Sequence, residues 1–77
     1  MADLFQGKGE AVYKNGYSYS GAWIKGERYG FGIYRFPNGK IRYEGNWKDD
    51  VFHGEGRLVE EDGKEMKGQF EKGYFYK

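Results

Sequence analysis

Along this chain, apolar and polar positions alternate. Tyr17, Tyr19, Gly21 and Trp23 are separated by single polar or small residues, as are Tyr43, Gly45 and Trp47, and Met66, Gly68 and Phe70. Alternation at period two sends successive side chains to opposite faces of a strand, so these stretches are predicted strands. No segment carries the apolar period of a helix, and glycine interrupts every window of about a dozen residues. Turn signals punctuate the strands at Lys14-Asn15-Gly16, Pro37-Asn38-Gly39 and Glu61-Asp62-Gly63. Asn-Gly and Asp-Gly between alternating segments mark β-hairpins. Pro37 suits the first central position of a type I turn, with Gly39 as the left-handed residue of a G1 bulge.

The alternating segments also recur. Tyr19-x-Gly21-x-Trp23 followed by Gly30-x-Gly32 returns 24 positions later as Tyr43-x-Gly45-x-Trp47 followed by Gly54-x-Gly56. A weaker copy, Met66-x-Gly68-x-Phe70, lies 23 positions further on. A fixed period outranks local signals, because each copy is one structural unit stacked on the next. Starting each unit at its Gly-x-Gly divides the chain into a short tail, residues 1–6, and units 7–29, 30–53 and 54–76.

The turns set the register. In the first unit Tyr13 should face Tyr17, which puts Ala11 opposite Tyr19, Gly9 opposite Gly21 and Gly7 opposite Trp23. The third unit sets Gly56 opposite Gly68 and Gly54 opposite Phe70. The middle unit is one residue longer. Counted from its turn alone it would set Gly32 against Glu44; an added bulge or a longer turn within residues 39–43 sets Gly32 against Gly45, Gly30 against Trp47 and Tyr34 against Tyr43. Without it every side chain would fall on the wrong face.

This register sorts the residues. One face collects Tyr13, Tyr17, Tyr19, Trp23, Tyr34, Phe36, Tyr43, Trp47, Leu58, Met66 and Phe70, together with the paired glycines. The other collects charged and polar residues such as Glu10, Ser20, Glu44, Arg57 and Lys67, joined by few apolar ones, chiefly Val12, Phe31, Ile33 and Val59. Glycine weakens a strand, so six of them in paired rows need a reason. The expected reason is room for neighbouring rings to lie flat across backbone that has no Cβ. The prediction is an all-β fold: a single-layer, curved antiparallel meander of three hairpins.

Tyr43-Glu44-Gly45-Asn46-Trp47-Lys48 and Tyr34-Arg35-Phe36-Pro37-Asn38-Gly39 resemble signature segments of the MORN (membrane occupation and recognition nexus) repeat. The resemblance covers residues 7–76. It implies a non-catalytic scaffold or adaptor that binds a helical or extended protein segment within a cytoskeletal, ciliary or membrane-junction assembly. It also raises peripheral binding to anionic phospholipid as a rival, and regulation of an enzyme in trans as a third reading, since such repeats occur appended to methyltransferases and lipid kinases.

Composition narrows these readings. The chain has 77 residues, enough for one domain with a thin core. Mean hydropathy is −1.00, but 21% aromatic residues argue against disorder. A net charge of +1 supplies no field for nucleic acid. No apolar run approaches the ~18 residues of a membrane span, and Met1-Ala2-Asp3-Leu4-Phe5-Gln6 lacks a secretory pattern. With no cysteine there is no disulfide frame or thiolate metal site. His53 is the only histidine, so a metal site or catalytic triad cannot be assembled on it. The carboxylates around the third turn, Glu60, Glu61, Asp62 and Glu65, read as a solvated tip. The expectation is a cytoplasmic, non-enzymatic protein without cofactor or metal.

The candidate partner-binding residues are Tyr13, Tyr17, Tyr19, Trp23, Tyr34, Phe36, Tyr43, Trp47, Met66 and Phe70. Trp23 and Trp47, opposite glycine, are read first as core, and the tyrosines nearer the turns as more open. Lys25, Arg28, Arg35, Lys40, Arg42 and Lys48 carry the lipid reading, but they are interspersed with Glu27, Glu44, Asp49 and Asp50, whereas lipid surfaces select uninterrupted cations. The outer strands, near 7–13 and 64–70, are expected to keep unpaired backbone groups that invite end-to-end or edge-strand stacking. By phase, Phe5-Gln6-Gly7 corresponds to Arg28-Tyr29-Gly30 and Phe75-Tyr76-Lys77, which leaves Tyr74, Phe75 and Tyr76 expected to lack a following repeat.

Overall fold

The computed structural model describes residues 7–76; the expected tail and its Phe5 and Gln6 lie outside the described residues, as does Lys77. Among the described residues seven strands follow in chain order: β1 (Gly7–Val12), β2 (Ser18–Ile24), β3 (Glu27–Arg35), β4 (Ile41–Lys48), β5 (Val51–Val59), β6 (Glu65–Glu71) and β7 (Tyr74–Phe75). They form one antiparallel sheet in that same order. The fold is the all-β meander that alternation predicted.

The three expected turns share one geometry. The N–H of Tyr13, Phe36 and Glu60 donates to the carbonyl of Tyr17, Lys40 and Lys64, each at 2.8 Å. Asn15, Asn38 and Asp62 accept the N–H two residues on, at 3.1, 2.8 and 2.9 Å, so each side chain copies a turn hydrogen bond. Gly39 stands at φ +90, the left-handed conformation its turn requires.

Three tighter turns at the opposite end were not anticipated. Lys25-Gly26, Asp49-Asp50 and Lys72-Gly73 each put both central residues at positive φ. These are type I′ hairpins, whose twist suits the flanking strands. Lys-Gly and Asp-Asp are weak signals for them, which is why the pattern alone showed three hairpins rather than a continuous ribbon.

The register agrees with expectation. Gly7 pairs with Trp23 and Gly9 with Gly21, and Gly54 pairs with Phe70 and Gly56 with Gly68. In the middle unit Gly32 faces Gly45 and Gly30 faces Trp47, while the register slips between Tyr34 and Arg35, where Arg35 faces Ile41. The extra residue is therefore a bulge at Arg42; the turn itself is unlengthened. Larger bulges mark the junctions between hairpins. Ala22 of β2 stands against residues 29–31 of β3, and Asn46 of β4 against residues 53–55 of β5. Two added residues preserve the facing of each side chain while bending the strand.

Gly9, Gly21, Gly32, Gly45, Gly56 and Gly68 thus form one row across six strands. Beside it runs Ala11, Tyr19, Tyr34, Tyr43, Leu58 and Met66. Tyr19, Tyr43, Trp47, Leu58 and Phe70 make the buried cluster, with Phe36 also buried. The molecule measures 40 × 26 × 15 Å. That depth holds one sheet and its side chains, so rings become inaccessible only because the sheet curves around them.

Two expectations need correction. The strand near 64–70 does not keep its whole outer edge, because β7 pairs Phe75 with Phe70 and Tyr74 with Glu71, and Tyr76 donates to Gln69 at 2.6 Å. Phe75 is packed against the Phe70 ring, centroids 5.3 Å apart. The reverse face is also less uniformly polar than predicted. Alternation puts Ile24 and Tyr29 there beside Phe31, and all three are exposed.

Candidate binding face

The aromatic face is built by repetition of one contact. Tyr19 meets Trp23 at 5.0 Å and Trp47 at 5.2 Å, with interplanar angles of 83° and 85°. One repeat on, Tyr43 meets Trp47 at 5.2 Å and Phe70 at 5.2 Å, at 85° and 88°. Each tyrosine is an edge-on wedge between consecutive large rings, the arrangement favoured by the ring quadrupole. Its hydroxyl reaches forward along its own strand: Tyr19 Oη donates to Ala22 O at 2.9 Å and Tyr43 Oη to Asn46 O at 2.8 Å. Trp23 and Trp47 each donate Nε1–H to a glycine carbonyl of the preceding strand, Gly9 and Gly32, at 3.2 Å.

Burial divides the ten candidate residues. Tyr19 and Tyr43 are 0% exposed, and Trp47, Phe70 and Phe36 are buried. These five hold the sheet's own core. Tyr13, Trp23, Tyr34 and Met66 pack on that core while remaining partly open, and Tyr17 is likewise half-buried. Apart from Trp23, the open candidate rings gather near the three-residue turns: Tyr17 stacks on Tyr34 at 5.3 Å, and Tyr13 meets Tyr34 edge-on at 6.3 Å.

Three residues join this face that the sequence reading does not place there: Arg28 and Asp50, read as charges of the lipid question, and Phe52. Phe52 stacks flat on Tyr43, centroids 4.1 Å apart at 16°. Arg28 holds the matching place one repeat earlier and Phe75 one repeat later. Their spacing of 24 and 23 residues is the repeat period itself, and would have identified the position had glycines not been its only markers. Arg28 carries its guanidinium 4.6 Å from the Trp47 ring centre and 5.5 Å from that of Tyr34. Its Nε donates to Asp50 Oδ1 at 2.6 Å and its Nη2 to Asp50 O at 2.9 Å. Together with Tyr34, Trp47, Val51, Phe52 and Gly73, this pair lines a groove of about 290 Å³.

Arg28 therefore does a ring's work with a cation. Arg28→Ala is expected to cost about 1–2 kcal/mol, from a partly desolvated cation–π contact and charge-assisted hydrogen bonds. Arg28→Phe should cost less, since phenylalanine fills that place in the later repeats. Urea unfolding of both variants checks this; equal losses would show that only the Asp50 pairing counts.

Burial pushes the phenols of Tyr19 and Tyr43 from the ordinary 10.0 up to about 12. A raised folded value means that the folded chain holds these protons more tightly than the unfolded one. Their contribution is complete below pH 10 and is lost as pH rises towards 12. The melting temperature should fall across that window, in step with phenolate absorbance. In a Tyr19→Phe/Tyr43→Phe variant the slope should flatten; an unchanged slope would assign it to other groups.

A meander made from one hairpin unit recurring at 24 and 23 residues defines a β-hairpin repeat protein. Residues 19–41 and 43–65, more than half of the chain, match the family model for the MORN repeat, so the chain belongs to the MORN repeat family. Each match begins at the wedge tyrosine and runs through the Gly-x-Gly strand and the next three-residue turn. Repeats of this family act in protein or membrane-lipid interaction and are generally non-catalytic.

Proposed function

We propose that this chain is a non-catalytic scaffold or adaptor whose aromatic-glycine face receives a helical or extended segment of another protein. The observation that carries this reading is the belt of half-open rings, Tyr13, Tyr17, Trp23 and Tyr34, around a buried core. Tyrosine and tryptophan combine large area with a polar edge, and they anchor interfaces for that reason. The groove between Arg28, Tyr34, Trp47 and Phe52 offers such a segment a place to lie.

The placement of cations speaks against a lipid surface as the main ligand. Arg28 is spent on Asp50, Arg35 donates to Gly39 O, and Arg57 sits between Glu44 and Glu65. Lys25 and Lys48 lie at the type I′ end, while Lys40 and Arg42 lie at the other. The expected setting is a larger assembly in the cytoplasm, of cytoskeletal or ciliary kind, with edge-strand stacking through β1 as one mode of attachment.

The test is cross-linking from the native source with the intact chain, compared with Tyr17→Ser and Tyr34→Ser variants that retain its melt. Those residues suit the control better than Tyr19 and Tyr43, whose removal would empty the core. The reading predicts cross-links on the ring belt that both variants lose. Cross-links that persist in both variants, or sedimentation with phosphatidylserine vesicles and no protein cross-link, would overturn it.

A further inference from the structure

The three tips that share a turn geometry differ in chemistry. Tyr13, Phe36 and Glu60 occupy the same turn position, each donating the N–H that closes its turn. After them come Lys14 and Asn15, then Pro37 and Asn38, then Glu61 and Asp62. The third tip thus has a carboxylate where the others have a ring, followed by two more.

Beside it lies a recess of about 430 Å³ lined by Tyr17, Phe36, Arg42, Glu60, Glu61 and Asp62. The aromatic floor is firmly held, Tyr17 stacking on Tyr34 and packing against Phe36 with centroids 5.7 Å apart. Among the described residues Glu60, Glu61 and Asp62 form no ion pair. The chain itself demonstrates what this floor accepts. The Arg42 guanidinium lies 5.5 Å from the Phe36 ring centre, and its Nη1 donates to the Val59 carbonyl at 3.2 Å, not to the carboxylates.

We infer that this recess takes a lysine or arginine side chain of the partner segment, the cation lying over Tyr17 with the third-tip carboxylates around it. Ring face and carboxylate both favour a cation. An anionic group entering there would meet three carboxylates. The inference rests on the binding-face reading and deepens it, naming the charge that enters and the tip that selects it.

The experiment is a nuclear magnetic resonance titration of the intact chain with an amidated hexapeptide of alternating lysine and alanine. Shifts are expected at Tyr17, Phe36 and the third tip, and none with the glutamate–alanine counterpart. In a Glu60→Gln/Glu61→Gln/Asp62→Asn variant the affinity should fall about tenfold, as for a lost set of interfacial charges. The fold should survive, because asparagine is what the first two tips carry at that turn position. Tyr17→Leu, which keeps every carboxylate, should also weaken binding severalfold. Undiminished affinity in either variant, or shifts spread over all acidic residues, would overturn the inference. The two readings fail separately: if ring-belt cross-links to the native partner survive in the tip variant undiminished, only the cation site falls.

Discussion

Replacing Trp47 with alanine is expected to unfold the isolated chain. Trp47 is 3% exposed and meets Tyr19, Tyr34, Tyr43 and Phe52 at centroid distances of 5.0–5.9 Å. It also carries the Arg28 guanidinium and donates to Gly32 O. Truncating such a ring costs about 3–5 kcal/mol, partly as transfer and partly as cavity. Small domains sit near the low end of the usual ~5–15 kcal/mol of total stability, so the loss is comparable to everything available. Trp47→Phe should be much milder, because Phe70 fills the corresponding place one repeat later. Circular dichroism melts of the three proteins decide the matter. An alanine variant with the wild-type midpoint would show that Trp47 is not the hub of this face.

Gly32→Val should be the next most damaging change, although valine is the better strand former. The backbone of Gly32 is ordinary for a strand, so the penalty is spatial. A Cβ there would collide with the Tyr19 ring, at its hydroxyl, Cε1 and Cζ. Tyr19 cannot swing away, being wedged between Trp23 and Trp47. Overpacking of this kind costs about 1–3 kcal/mol, sometimes more. Gly39 provides the contrast: a Cβ there would meet nothing, and substitution would act only through its positive φ. A double-mutant cycle pairing Gly32→Ala with Tyr19→Leu should show strong coupling, since the smaller side chain makes room. Additive losses, or a Gly32→Val protein of higher stability, would mean that the glycine is not there for the ring.

Most of the sheet was legible because its signals are local and repeated. Alternation, Asn-Gly turns and one extra residue in the middle unit were enough to pair Gly32 with Gly45 and to confine the bulge to residues 39–43. The candidate site was legible only as a face. Alternation says which way Tyr19 and Tyr17 point, but not that the first is sealed while the second stays half-open. The Tyr19 ring lies across the bare backbone of Gly32, whereas Tyr17 stacks on Tyr34 near the turn. Its charge puts Arg28 among the cations of the lipid reading, whereas the rings of Tyr34 and Trp47 and the Asp50 carboxylate supply a home for it on the aromatic face.

What the sequence determined by itself, then, is the meander of hairpins, the register within each hairpin and most of the aromatic face, since period two and short turns leave little choice once one face is apolar. What only the tertiary structure decided is which side chains complete the core. The bulges opposite Ala22 and Asn46 bend the sheet, and that bend brings Arg28 onto Trp47 and Phe52 onto Tyr43. The same three-dimensional closeness sets Tyr17 and Phe36 beside the third tip, although Tyr17 and Glu60 lie far apart in the chain. Curvature is a sum over many residues, and no single stretch of sequence carries it.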